Sequence, residues 1–250
     1  MSDFSHVYDA GFFDYIVEGA RRSARATIGL AHEMLQPTSV LDVGCGRGIW
    51  LAEWVGKGVS DVYGIDGSYL DATTLEIAPG RFMPQDLSQP FWVGRRFDLI
   101  ESLEVAEHLP ESAAESFIDS LTRHGDVIMF SAAVPGQGGE YHVNEQPLEY
   151  WREKFARRGY AAYDPLRRVL RNNDQVEPWY RYNLLVYASP VGEARLTKEA
   201  RSTRLAEGTR IPDIAPISWR LRNLILRQLP RPAIEGLARV KHRVIRATRN

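Results

Sequence analysis

The sequence has a single cysteine, Cys45, among 250 residues. One thiol closes no internal disulfide and builds no multi-cysteine zinc site, so nothing in the chain asks for an oxidising compartment. No apolar run reaches the roughly 18 residues that a membrane-crossing helix needs. The first ten residues lack the basic segment and apolar stretch of an export signal, and the expected location is the cytoplasm. Internal repeats and low-complexity tracts are absent as well. Overall charge is nearly balanced, with 31 Lys and Arg against 32 Asp and Glu, but it is distributed unevenly. Residues 216–250 hold nine Arg or Lys and one acid, Glu235, so this tail carries about +8 and the body about −9.

What is present suits a packed α/β protein. The composition is 44% hydrophobic, 25% charged and 10% aromatic, enough for a sizeable core and too apolar for a disordered chain. Its length fits one large domain with a modest appendage. Apolar residues Ile16, Val17, Ala20, Ala24, Ile28, Ala31 and Leu35 fall at helical spacing and predict a helix over 14–36, stopped by Pro37. Short apolar runs at 39–43, 61–66, 81–86, 96–103, 126–131 and 183–189 predict strands. Helical patterns at 49–55, 111–123 and 148–158 alternate with them, which predicts a mostly parallel sheet with helices on both faces. The expected division is one domain over 1–190, a linker over 191–215 and a basic helical tail over 216–250.

Between the strand at 39–43 and the next helix lie Gly44, Gly46 and Gly48. A tight glycine turn lets backbone amides approach a ligand, and a helix N-terminus adds positive potential. A dinucleotide fingerprint starting at Gly44 needs glycine or alanine where this chain has Ile49, and no Lys-Ser or Lys-Thr pair closes the loop, which excludes a P-loop. The stretch VLDVGCGRGIWL instead resembles the first motif of class I S-adenosylmethionine-dependent methyltransferases. The strand ending at Asp66 resembles the family's second motif, whose acid offers two acceptors to the ribose diol. Gln85-Asp86-Leu87 resembles the adenine-contacting motif, and residues 97–103 resemble the fourth strand, beside the reactive methyl. The resemblance covers about 13–189. It implies a Rossmann-like α/β fold, mostly parallel with an antiparallel last strand, and S-adenosylmethionine as cofactor. The implied cofactor residues are Asp42, Gly44, Cys45, Gly46, Gly48, Asp66, Gly67, Asp86, Leu87, Ser102 and Leu103. An ordinary strand-to-helix turn accounts for the glycines alone but not for Asp42, Asp66 and Asp86 in register. Asp42 suits either a ligand contact or a structural part in holding the loop.

Glu104-Val105-Ala106-Glu107-His108 directly follows the fourth strand. At helical spacing Glu104, Glu107 and His108 share one face. Carboxylates with one or two imidazoles suit Mg²⁺, Mn²⁺ or a similar divalent ion, with positions left for substrate oxygens. A further histidine, His142, sits in the glycine-rich loop after the next strand, at the same sheet edge. The pattern E-x-x-E-H with a later histidine resembles the metal site of small-RNA terminal 2′-O-methyltransferases and, for its first three residues, of ubiquinone-pathway O-methyltransferases. Both groups modify one oxygen of a vicinal pair. The resemblance implies a metal at Glu104, Glu107, His108 and His142, with Glu104, His108 and His142 serving catalysis. Two other readings stand beside it: a metal-free general base at His108 or His142, and a solvated helix face with a structural histidine.

Residues 131–146, with Tyr150, Trp151 and Phe155, resemble a bacterial methyltransferase subgroup associated with glycan and natural-product gene neighbourhoods, except that Pro147 replaces its usual Trp. Gln137, Asn144, Gln146, Tyr141 and Trp151 suit hydrogen bonding and stacking against a sugar, or a helix cap with core aromatics. Arg21 and Arg22 suit the cofactor carboxylate or water. The expected acceptor is thus a hydroxyl on a sugar or other vicinal diol of a glycan, glycolipid or natural product. An RNA 2′-hydroxyl is one alternative; a metal-independent small-molecule methyltransferase or silent cofactor-binding subunit is another. In the tail, Trp219, Leu221, Leu224, Ile225 and Leu229, and then Leu237, Val240 and Val244, predict two short amphipathic helices broken by Pro230 and Pro232. Such helices suit packing on the acidic body or a second subunit, peripheral contact with the inner membrane face, or, less well, nucleic acid.

Overall fold

A helix, α1 (Ala10–Leu35), leads into β1 (Ser39–Val43), and the chain then alternates through α2 (Ile49–Gly56), β2 (Asp61–Asp66), β3 (Phe82–Pro84), β4 (Leu99–Leu103), α3 (Ala114–His124) and β5 (Val127–Ser131). It continues with α4 (Leu148–Ala156), β6 (Ala161–Tyr163), α5 (Arg167–Leu170), α6 (Pro178–Asn183), β7 (Leu185–Ala188), α7 (Pro190–Arg195), α8 (Lys198–Arg201) and α9 (Ile217–Leu226). This computed structural model describes residues 10–230 together with 233 and 236. The predicted helix around Leu237, Val240 and Val244 lies outside the described residues.

The seven strands form one sheet in the order β3-β2-β1-β4-β5-β7-β6. The first five are mutually parallel, and β7 runs antiparallel to both β5 and β6. The central strands are buried on both faces, which is why SVLDV and VIMFS read as apolar runs rather than as alternations. Successive residues still feed opposite cores, as the pleat requires. Val40, Leu99 and Met129 pack with Ala24 and Ile28 of α1 and Leu51 and Trp54 of α2. Leu41, Ile100 and Ile128 pack with Phe117 and Leu121 of α3 and Trp151 and Phe155 of α4. Removing a fully buried ring such as Trp54 or Phe117 costs on the order of 3–5 kcal/mol.

Strands β1 and β2 have the predicted bounds; β3, β4, β5 and β7 are shorter than predicted. Residues 191–215 do more than connect. Leu196, Ala200, Ile211 and Ala215 are buried, Thr197 N–H donates to the Met34 carbonyl, and Leu205 N–H donates to that of Ala162. Because β1 to β5 are parallel, their C-terminal ends bring the glycine loop, Asp66, the segment after β4 and the loop after β5 to one edge.

Candidate active site

Gly44, Gly46 and Gly48 all have left-handed backbones, with φ of 87°, 51° and 78°. A Cβ on Gly44 would lie 2.3 Å from Val105 Cγ2, so the segment after β4 packs directly on this turn. A Cβ on Gly46 would meet nothing within 4 Å, so its outer face is open. Gly46 N–H donates to Asp66 Oδ2 at 2.7 Å, while Asp66 Oδ1 accepts from Gly67 N–H at 2.6 Å and from the Tyr69 hydroxyl at 2.5 Å. Burial pushes the Asp66 carboxyl up, and these three donors pull it partly back. Cys45 is buried, and burial followed by the charges of Asp42 and Asp66 pushes its thiol well up. Asp86 is exposed and caps its own turn, accepting from Ser88 N–H and Oγ–H at 2.9 and 2.7 Å. Leu87 and Ser102 are buried, and Leu103 is half-buried at the end of β4.

Asp42 sits opposite Glu101 in the β1–β4 ladder, and both are buried. Glu101 Oε2 accepts from Trp54 Nε1–H at 2.9 Å. Burial pushes Glu101 up to about 8 and Asp42 well above the carboxylate range, the latter helped by the Glu101 and Asp66 charges. The pair therefore keeps at least one proton at neutral pH. Asp42, buried beside Glu101 on the strand that leads into the glycine loop, suits a structural role there.

The segment after β4 is not the helix that its spacing predicts. Glu104 is left-handed, with φ of 58°, and Ala106–His108 forms a single 3₁₀ turn. Seating Val105 against Gly44 turns the chain too sharply for an α-helix. The acids are nevertheless brought inward, not solvated. Glu107 has no solvent exposure, and among the described residues neither carboxylate oxygen has a partner at hydrogen-bond geometry. Val143 and Asn144 N–H donate to the Glu107 carbonyl at 2.8 and 3.0 Å, hanging the glycine-rich loop beside it. This places His142 against His108, ring centroids 4.9 Å apart and perpendicular. Ligand atoms of Glu107, His108 and His142 lie within 4.8 Å of one another. Glu104 stands outside that trio: its Oε2 accepts from Gln137 Nε2–H at 2.6 Å, and its buried Oε1 has no partner at hydrogen-bond geometry among the described residues. Burial, then the Glu104 charge, pushes Glu107 well up, whereas His108, whose ring keeps an exposed edge, is pushed down by partial desolvation and the nearby His142.

The residues expected against a sugar are placed differently. Gln137 is buried, linking Glu104 to Asn183, whose Nδ2–H donates to Gln137 Oε1 at 2.7 Å. Trp151 is in the core against Phe130. Asn144 is buried and accepts from Gln146, and Tyr141 is half-buried with φ of 60°. Arg21 and Arg22 pair with Glu76 and Glu177. Two further residues carry no motif in the sequence: Glu145, which braces His142 by Nδ1, and Tyr69, whose ring covers Gly67. A separate cavity of about 550 Å³, lined by Arg96, Asp119, Asp126 and Arg158, lies at the opposite end of β5, and both arginines are already paired there.

A methyltransferase-domain family matches residues 18–174. No curated protein matches the chain. Among solved structures, DesVI of Streptomyces venezuelae is similar with a TM-score of 0.55 at 14% identity, over 76% of this chain and 99% of that one. Magnesium protoporphyrin IX methyltransferase of Synechocystis PCC 6803, solved with S-adenosylmethionine bound, gives 0.50 at 20% identity, over 73% and 85%. These two likenesses show the fold. With the family match spanning more than half its length, the chain belongs to the methyltransferase-domain family and is a class I S-adenosylmethionine-dependent methyltransferase.

Proposed function

We propose that the protein transfers the methyl group of S-adenosylmethionine to a hydroxyl of a sugar or other vicinal diol, at a centre completed by a divalent cation. The observation that carries this reading is Glu107, a side chain with no exposure whose two oxygens have no partner at hydrogen-bond geometry among the described residues, within 4.8 Å of His108 and His142. An unpartnered buried carboxylate is costly, and a cation beside two imidazoles offsets that cost. The donor set fits Mg²⁺ or Mn²⁺. Glu107, His108 and His142 would hold the ion, with Glu104 adjacent. Bound there, it would lower the pKa of an acceptor hydroxyl and fix its orientation.

The chain's own residues supply the remainder. Asp66 would offer its carboxylate to the ribose diol, and the open face of Gly46 would let the cofactor approach the turn closely. His108, exposed beside His142 and held below the ordinary imidazole range, would offer a neutral ring nitrogen. Gln137 and Asn183 fix Glu104 through buried hydrogen bonds. Methyl transfer forms the bond from acceptor oxygen to methyl carbon as the bond from that carbon to sulfur breaks, leaving S-adenosylhomocysteine and releasing the hydroxyl proton.

Labelled methyl transfer to a panel of diol-bearing sugars and their monodeoxy analogues tests the reading. Turnover is expected on diols alone, abolished by chelator and restored by Mg²⁺ or Mn²⁺. Full turnover in excess chelator would remove the cation from the account, and equal turnover on deoxy analogues would remove the diol.

A further inference from the structure

Helix α9 has two dissimilar faces. Inward, Asn223 is buried and its carbonyl packs on Gly136, where a Cβ would lie 2.2 Å from that oxygen. Arg222 Nη1–H donates to the Gln137 carbonyl at 2.8 Å, and Trp219 packs on Tyr182 with ring centroids 5.9 Å apart. Outward, Ile217, Leu221, Leu224 and Ile225 are 75%, 55%, 54% and 57% exposed, against the half or more of their surface that a monomer's core helix would hide. Helical spacing puts these four side chains on one stripe, bordered by the exposed Arg220 and Arg227. The sequence beyond residue 230 adds six more Arg or Lys and one acid.

We infer that the outer face of α9, with the basic sequence around it, docks the protein on an anionic lipid bilayer. An aliphatic stripe bordered by arginines is what an interfacial helix needs: the apolar side chains enter the acyl boundary while the cations meet anionic headgroups. Other occupants fit less well. Nucleic acid would satisfy the arginines but leave four aliphatic side chains in water. A second copy meeting this face to face would bring two tails of about +8 together. The acidic body of the same chain is already held by the inner face. No described helix is long and apolar enough to cross the membrane, so contact is peripheral. Because α9 braces residues 136 and 137, docking holds the active-site loop close to the headgroups, whichever acceptor is methylated.

Flotation of the full-length protein with phosphatidylcholine vesicles, with and without phosphatidylglycerol, tests this. Binding is expected only with phosphatidylglycerol and is expected to weaken at high salt. Combined Ile217→Gln, Leu221→Gln and Leu224→Gln is expected to weaken it at least roughly tenfold, with the circular dichroism spectrum and S-adenosylhomocysteine affinity unchanged. Arg220→Gln with Arg227→Gln, which leaves the stripe intact, is expected to weaken it less. The inference is overturned by absence of vesicle binding, or by binding that the triple variant leaves intact. It is equally overturned if the triple substitution abolishes dimerisation measured by light scattering, or a gel shift with short RNA, in a protein that never floats.

Discussion

Glu145 holds His142 from behind, its Oε1 2.9 Å from His142 Nδ1. The same carboxylate accepts N–H of Gly136 and Gly138 at 2.7 and 2.8 Å. Burial pushes Glu145 up, but His142 and the two amides outweigh it and keep the carboxyl below its ordinary range. With Nδ1 committed, Nε2 is the nitrogen left to face a ligand, and a carboxylate behind an imidazole fixes its ring orientation and tautomer.

Glu145→Gln is therefore expected to lower turnover or cation affinity about 10- to 100-fold with the fold intact. Gly139→Ala is expected to do the same, since its Cβ would lie 2.2 Å from His142 Nε2. Unchanged kinetics in both variants, each with a native melting curve, would contradict the assignment of His142 to the site.

At Asp66 the Tyr69 hydroxyl already donates to Oδ1 at 2.5 Å, where a ribose hydroxyl would compete. Asp66→Ala is expected to weaken S-adenosylhomocysteine binding by on the order of 100-fold, two hydrogen bonds to a charged group being worth about 3 kcal/mol or more. Tyr69→Phe removes the competitor and is expected to tighten binding about 2- to 10-fold, a net hydrogen bond being about 0.5–1.5 kcal/mol. Calorimetry distinguishes this from weaker binding in Tyr69→Phe, which would make Tyr69 a ligand-orienting partner instead.

Glu101, with its folded pKa near 8, stabilises the fold most when protonated. Its contribution is fully present below the unfolded value near 4.5 and is lost as pH rises through about 8, at up to about 1.4 kcal/mol per pH unit. Glu101→Gln keeps an acceptor for Trp54 and offers a permanent donor to Asp42. Urea unfolding is expected to show this variant gaining on wild type from pH 6 to pH 9. A constant difference across that range would show that Glu101 does not titrate with folding.

Arg167 has no exposure and forms a two-point ion pair with Asp164, Nε–Oδ1 at 3.0 Å and Nη2–Oδ2 at 2.7 Å, with Nη1–H donating to the Tyr182 carbonyl. Asp164→Ala strands that charge and is expected to cost about 3–5 kcal/mol. The double variant Asp164→Ala with Arg167→Met is expected to recover most of the loss in a thermal melt.

The fold was legible where local pattern and tertiary environment agree. SVLDV is buried along nearly its whole length and DVYGID along its last three residues, and both end where the glycine loop and Asp66 begin the cofactor edge, so their patterns set the bounds directly. Strand β6 is three residues long, and α5 to α8 span four to six residues each, too short for a periodic signal. The helix read at Glu104 to His108 failed because spacing does not encode the contact of Val105 with Gly44, which sets the left-handed turn. The cofactor edge followed from motif order. Glu145, Asn183 and the Asp42–Glu101 pair did not, since each acquires its role from a partner on another element.

The central claim, a divalent cation among Glu107, His108 and His142, is tested most directly by calorimetric titration of Mn²⁺ and Mg²⁺ into protein saturated with S-adenosylhomocysteine. The account predicts saturable binding of one ion, lost in Glu107→Gln and His142→Ala while both variants still bind S-adenosylhomocysteine. Absence of saturable binding in the wild type, or binding that both variants retain, would contradict it.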